Sequence, residues 1–132
     1  MTWGEVFVAF FVTHQVGDYL LQTDWQAIHK AGGLSRNRVA RRALFSHTFT
    51  YSLAYVPAFL WISSQLGWQT LWVAAAISLP HVVQDDGRLL TLYIRKVKRM
   101  EPSEHRVVAA LVDQAVHMLA LFGAALLVSA LK

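Results

Sequence analysis

The chain has 132 residues, 55% of them hydrophobic and 15% charged, with a formal net charge of +4 and no cysteine. That length holds one domain, and the missing cysteines exclude disulfides, thiolate zinc sites and a cysteine nucleophile. Every Lys and Arg except Lys132 falls in two blocks, Lys30 to Arg42 and Arg88 to Arg106. Long apolar stretches between basic blocks read as membrane helices between loops, so the positive charge does not point to nucleic acid.

The first predicted span runs from Trp3 to Leu21, interrupted by Glu5, His14 and Asp18. No basic n-region precedes it, so it is expected to be retained rather than cleaved as a signal peptide. Gly32 and Gly33 break the chain before the second span, Val39 to Ser63, which carries His47, Tyr51 and Tyr55 on one face and a kink at Pro57. A short uncharged turn, Ser64 to Trp68, makes spans two and three antiparallel neighbours. The third span extends from Trp68 to about Ile94, bent by Pro80 beside His81. Ser103 is placed to cap the last helix, from Glu104 to Leu131. Positive-inside orientation puts both basic loops in the cytoplasm and the termini and charge-free turn outside. The expected fold is all-α: one domain over residues 1–132, an integral membrane bundle of four transmembrane helices, N-out and C-out.

Three of the apolar segments carry a His/Asp pair four residues apart: His14 with Asp18, His81 with Asp85, and Asp113 with His117. At that spacing both side chains lie on one helical face. Spans one and three run inward with the histidine first, and span four runs outward with the aspartate first. Each aspartate therefore stands nearer the cytoplasm and each histidine one turn deeper. At 1.5 Å per residue the pairs lie roughly 6 to 20 Å inside the cytoplasmic boundary, and His47 falls in the same layer. Charged groups at that depth cost about 2.5 kcal/mol or more each, so they face inward and commonly mark function.

Imidazoles and carboxylates together suit a divalent ion such as zinc, manganese or iron. The predicted metal ligands are His14, Asp18, His47, His81, Asp85, Asp113 and His117, enough for one or two ions. Gln15, Gln22, Gln84, Asp86 and Gln114 are adjacent polar residues that would support the ligands through hydrogen bonds. A metal-free polar network, a proton relay, or polar contacts that merely join helices are the competing readings of the same residues. His29 and His105 are expected to be solvated in loops. The Tyr51 and Tyr55 stripe reads as bundle packing.

The combination His14-Gln-Val-Gly-Asp18-Tyr-Leu-Leu-Gln22-Thr-Asp24-Trp25, with Lys30 after it, His47, His81-Val-Val-Gln-Asp85 and Asp113-Gln114-Ala-Val-His117, resembles the bacterial small membrane proteins grouped as domain-of-unknown-function family 3307. Asp86-Gly-Arg88 departs from the more apolar or lysine-bearing continuation expected there. The resemblance implies an integral protein of the bacterial cytoplasmic (inner) membrane and supplies no activity. A more distant similarity to membrane-bound metal-dependent hydrolases implies hydrolysis by analogy alone.

Two functional readings follow. The first is a membrane-embedded metal-dependent hydrolase acting on a lipid or lipid-linked substrate, with His47 and Asp113 as catalytic groups. No serine-nucleophile motif or phosphate-cradling glycine loop offers another chemistry. The second is a non-enzymatic metal-ion or proton carrier, or a membrane subunit of a larger complex. Four spans are few for alternating access, which favours a homo-oligomer if transport is the role. The lipid bilayer is the expected partner, and nucleic acid is not, since the basic residues lack interleaved aromatics.

Overall fold

A computed structural model describes residues 1–132. Seven α-helices and no strand make up the chain: α1 Trp3–Gln15, α2 Asp24–His29, α3 Arg38–Ala54, α4 Val56–Leu66, α5 Thr70–Asp85, α6 Arg88–Lys96 and α7 Arg106–Ala130. Glu5, read from the sequence as an interruption, belongs to a capping box. The Thr2 hydroxyl accepts from the Glu5 amide, and the Glu5 carboxylate accepts from the Thr2 amide. Helix α1 then widens into a π-helical turn over Val16–Leu20, closed by Leu21 N–H to Val16 O at 3.0 Å. Such turns shift the angular positions of the residues they contain and recur at functional sites.

Side-chain pairs establish an up-down-up-down bundle. Phe10 meets Tyr55, His14 meets Tyr51 and Asp18 meets His47, so α1 and the α3–α4 rod are antiparallel. His47 with His81 and Ser52 with Ser78 place α5 antiparallel to α3. His81 with His117 and Gln84 with Val116 place α7 antiparallel to α5, and His14 with Gln114 closes the ring. Both basic loops lie at one end. The Gly67 turn and the termini lie at the other, where the Lys132 ammonium donates to the Met1 carbonyl.

Two stretches are long and apolar enough to cross a membrane, Val56–Asp85 and Arg106–Ala130. The first is folded in two, because Gly67 (φ 56°, ψ −132°) reverses the chain between α4 and α5. Taken singly, α4 and α5 are 11 and 16 residues long, and the segments expected as spans one and two also fall short of that measure, for identifiable reasons. Trp3–Gln15 holds only 13 helical residues before the π turn, and Arg38, Arg41 and Arg42 dilute the start of α3.

Other boundaries also differ from expectation. The third span ends at Asp85 rather than Ile94: Gly87 adopts φ 72°, which an L side chain rarely tolerates, and α6 starts afresh in a new direction. Ser103 does not cap α7. His105 holds the cap position without a side-chain bond, and the preceding loop is tied instead by the Arg95 fork on Glu101, at 2.9 and 2.8 Å, which holds that carboxyl below its ordinary range. The break near Pro57 is as expected, with Pro57 in the first turn of α4 where its missing N–H costs nothing.

The interior is divided along its length. The half nearer the termini packs an apolar core of Val6, Phe10, Ile62, Val73, Ile77, Leu121, Ala125 and Val128. The half nearer the basic loops buries His14, Asp18, His47, His81, Asp85 and His117. The outer surface is apolar around the bundle, with Leu20, Phe49, Leu60, Leu71, Leu79, Leu111 and Leu119 all exposed.

Candidate metal centre

Four ionisable side chains converge near the basic-loop end. Asp18 comes from the π turn, His47 from the middle of α3, and His81 and Asp85 from successive turns of α5. Their facing atoms all lie within 4.8 Å of one another. His47 Nε2 is 3.2 Å from Asp18 Oδ1 and 3.0 Å from Asp85 Oδ2. His81 Nε2 is 3.7 Å from Asp18 Oδ1, 3.2 Å from Asp85 Oδ2 and 3.2 Å from His47 Nε2. Ligands about 2.05 Å from a tetrahedral ion stand roughly 3.3 Å from each other, which is the spacing of these five edges.

The donor set fits a divalent ion on chemical grounds as well. Asp18 Oδ1 is buried without a hydrogen-bonding partner, and Asp85 Oδ2 is buried against the Lys30 ammonium at 2.9 Å. A buried carboxylate oxygen left like Asp18 Oδ1 is costly, and a cation shared among the two carboxylates and two imidazoles removes the cost. Asp18, His47, His81 and Asp85 can therefore hold a metal ion.

The remaining predicted ligands surround this set. His14 Nδ1 bonds the Tyr51 hydroxyl at 3.0 Å, and its Nε2 lies 3.1 Å from Gln114 Oε1 and 3.6 Å from Asp18 Oδ2. His117 Nδ1 donates to the Asp113 carbonyl at 2.9 Å, and its Nε2 faces Asp85 Oδ1 at 3.6 Å. The Asp113 carboxylate is not among the four. It stands half-buried behind His117, with Oδ1 3.7 Å from Nδ1.

The supporting residues divide. Gln84 donates to the Val116 carbonyl at 3.2 Å and joins α5 to α7. Gln22 buries an unpaired amide nitrogen, and Gln15 is half-buried outside these contacts. Asp86 points away from the centre and pins the first basic loop. Its Oδ1 accepts from Leu34 N–H at 2.7 Å, its carbonyl from Gly32 N–H at 2.8 Å, and its Oδ2 from Arg88 at 2.5 Å.

That pinned loop delivers a residue that was not predicted for the site. Lys30 reaches in from the end of α2 and places Nζ 2.9 Å from Asp85 Oδ2. Two signals pointed to it: its place in the motif that carries the family resemblance, and its position just before Gly32 and Gly33, where a turn folds the long stem back over the bundle end. Tyr51 was likewise read as packing. Its ring stacks on His81 with centroids 3.5 Å apart and planes 7° from parallel, so it orients an imidazole of the set. Gly17 makes room for this ring: a Cβ there would lie 2.6 Å from Tyr51 Cδ2.

Beside the centre, a cavity of about 250 Å³ opens between α5, α6 and α7. Its walls are Val83, Leu89, Leu90, Tyr93 and Val116, and its polar groups are Gln84 and Asp113. An apolar cleft with a few polar groups has the lining of a small-molecule site.

Residues 6–131 match the family described as protein of unknown function (DUF3307), and the chain belongs to that family. No curated protein and no solved structure matches it.

Proposed function

We propose that this DUF3307 protein is a four-span protein of the bacterial cytoplasmic membrane. It holds a divalent ion of the zinc, manganese or iron class near the cytoplasmic face and hydrolyses a lipid or lipid-linked substrate. The observation that carries the reading is the convergence of Asp18 Oδ1, His47 Nε2, His81 Nε2 and Asp85 Oδ2 at ligand-to-ligand spacing inside an apolar bundle. Membrane embedding is supported by the inverted distribution of polarity. A soluble protein rarely surrounds its whole girth with exposed leucine and phenylalanine while burying His and Asp. The two basic loops at one end support an N-out, C-out orientation, with one domain over residues 1–132.

A bound divalent ion supplies Lewis acidity toward a phosphoryl or acyl oxygen. The chain's own groups do the rest. The cleft walls Val83, Leu89, Leu90, Tyr93 and Val116 receive an apolar chain from the inner leaflet. Asp113, exposed to that cleft and 3.7 Å from His117, takes the proton of the water that attacks the phosphorus or acyl carbon and returns it to the oxygen whose bond breaks, and Gln84 orients the polar end of the substrate. His47 is committed to the ion and does not serve as a base. The alternative of a carrier is less well supported, because the core from Ile77 and Leu121 outward is lined by apolar side chains.

The test is elemental analysis of detergent-purified protein, prepared without chelator, with Asp18→Ala and Asp85→Ala alongside. Stoichiometric metal in the wild type and none in the variants is the expected result. Wild-type protein that stays metal-free after incubation with zinc or manganese would sink the proposal. Hydrolysis is tested separately by incubating the loaded protein with inner-membrane lipid extract. Product formation is expected to stop on Asp113→Asn while metal content is retained.

A further inference from the structure

We infer that the centre has a second cation position, between His14 Nε2 and His117 Nε2, with Asp18 and Asp85 each bridging the two ions. The inference rests on the metal reading above and extends it.

Hydrogen-bond directions carry the argument. The Tyr55 hydroxyl lies 2.9 Å from the Phe10 carbonyl, which can only accept, so Tyr55 donates there. Its single proton is then committed, and the 3.0 Å bond between the two tyrosines is donated by Tyr51. Tyr51 in turn has no proton left for His14, so the 3.0 Å contact is donated by His14 Nδ1–H. A neutral His14 therefore presents a lone pair at Nε2. The same holds for His117, whose Nδ1–H is spent on the Asp113 carbonyl.

Both lone pairs point at acceptors. His14 Nε2 faces Asp18 Oδ2 at 3.6 Å and the Gln114 carbonyl oxygen at 3.1 Å. His117 Nε2, on a side chain 2% exposed, has no hydrogen-bonding partner and faces Asp85 Oδ1 at 3.6 Å. A separation of 3.6 Å is too long for a hydrogen bond and ordinary for two ligands of one ion. These carboxylate oxygens are also the ones the first set leaves over: that set uses Asp18 Oδ1 and Asp85 Oδ2. The His14 and His117 rings stand 5.2 Å apart, centroid to centroid. The second ion would take the His14 and His117 imidazoles, with Asp18 Oδ2 beside the first and Asp85 Oδ1 beside the second. Bridged pairs of this kind stand about 3.5–4 Å apart and clamp the two oxygens of a displacement at phosphorus or carbon.

The experiment loads wild-type protein in detergent with manganese(II) alone. It reads metal per chain by elemental analysis and spin coupling by low-temperature electron paramagnetic resonance. Two ions per chain with a coupled signal are expected. His117→Gln, and separately His14→Gln, should bring this to one ion with the uncoupled six-line spectrum. One ion per wild-type chain, unaffected by His117→Gln, would mean that His14 and His117 are charged partners of the carboxylates. That result overturns the second position and leaves the first intact. No ion in the wild type overturns the underlying reading. The wild-type count decides the matter even where a variant fails to fold.

Discussion

Lys30 Nζ lies 2.9 Å from Asp85 Oδ2, the same oxygen that stands 3.0 Å from His47 and 3.2 Å from His81. The carboxylate thus faces two claimants, a tethered ammonium and the cation that the imidazoles would share. Replacing Lys30 by Met keeps the stem and removes the charge. Metal affinity is expected to rise about tenfold, equivalent to roughly 1.4 kcal/mol. Competition against a chelator measures it, and a weaker affinity would show that Lys30 supports the ligand instead of competing.

Gly17 is expected to resist replacement because of what it touches. Its added Cβ would press on Tyr51, which stacks on His81, so Gly17→Ala should destabilise by about 1–3 kcal/mol and weaken metal binding. Gly123 on α7, where an added Cβ would meet nothing within 4 Å, is the matched control. There Ala should be neutral or stabilising by up to about 1 kcal/mol. Thermal melts of both variants in one detergent make the comparison.

Tyr51→Phe removes the acceptor for His14 Nδ1–H and breaks the chain of bonds to Phe10. A buried donor left unpaired costs roughly 1–3 kcal/mol. The variant should melt lower than wild type and bind manganese more weakly, because the His14 ring is no longer held. An unchanged melting temperature and affinity would mean that His14 has another partner.

Orientation can be read without a background, since the chain has no cysteine. Single cysteines at Arg41 and Lys98 should be shielded from an impermeant maleimide in intact cells, and those at Gln65 and Lys132 should react. Labelling of Arg41→Cys from outside would reverse the proposed topology.

The legible part of the site was its composition and depth. Spacing of four within apolar helices marks His14, Asp18, His81, Asp85, Asp113 and His117 as one layer, and antiparallel bundle pairing brings His81 to Asp18 and His117 to Asp85 across helices. The sequence could not rank them. Asp113 and Asp85 have equivalent patterns, yet Asp85 joins the central set, whereas Asp113 turns to the cleft beside Gln84. A modest rotation of the helix makes that difference, and only packing against neighbours sets the rotation. The π turn at Val16–Leu20 is a further example: nothing in Val-Gly-Asp-Tyr-Leu demands it locally.

By itself the sequence determined what chemistry could exist. It specified helices from hydrophobic content, loop polarity from clustered charge, and a buried layer of imidazoles and carboxylates from their period. These are properties of single segments, written in residue order. Tertiary structure alone decided which atoms share a point, which oxygen Lys30 reaches, and which histidine nitrogen carries the proton. Each depends on side chains from different helices meeting at hydrogen-bonding and ligand distances, a scale that spacing along one helix does not encode.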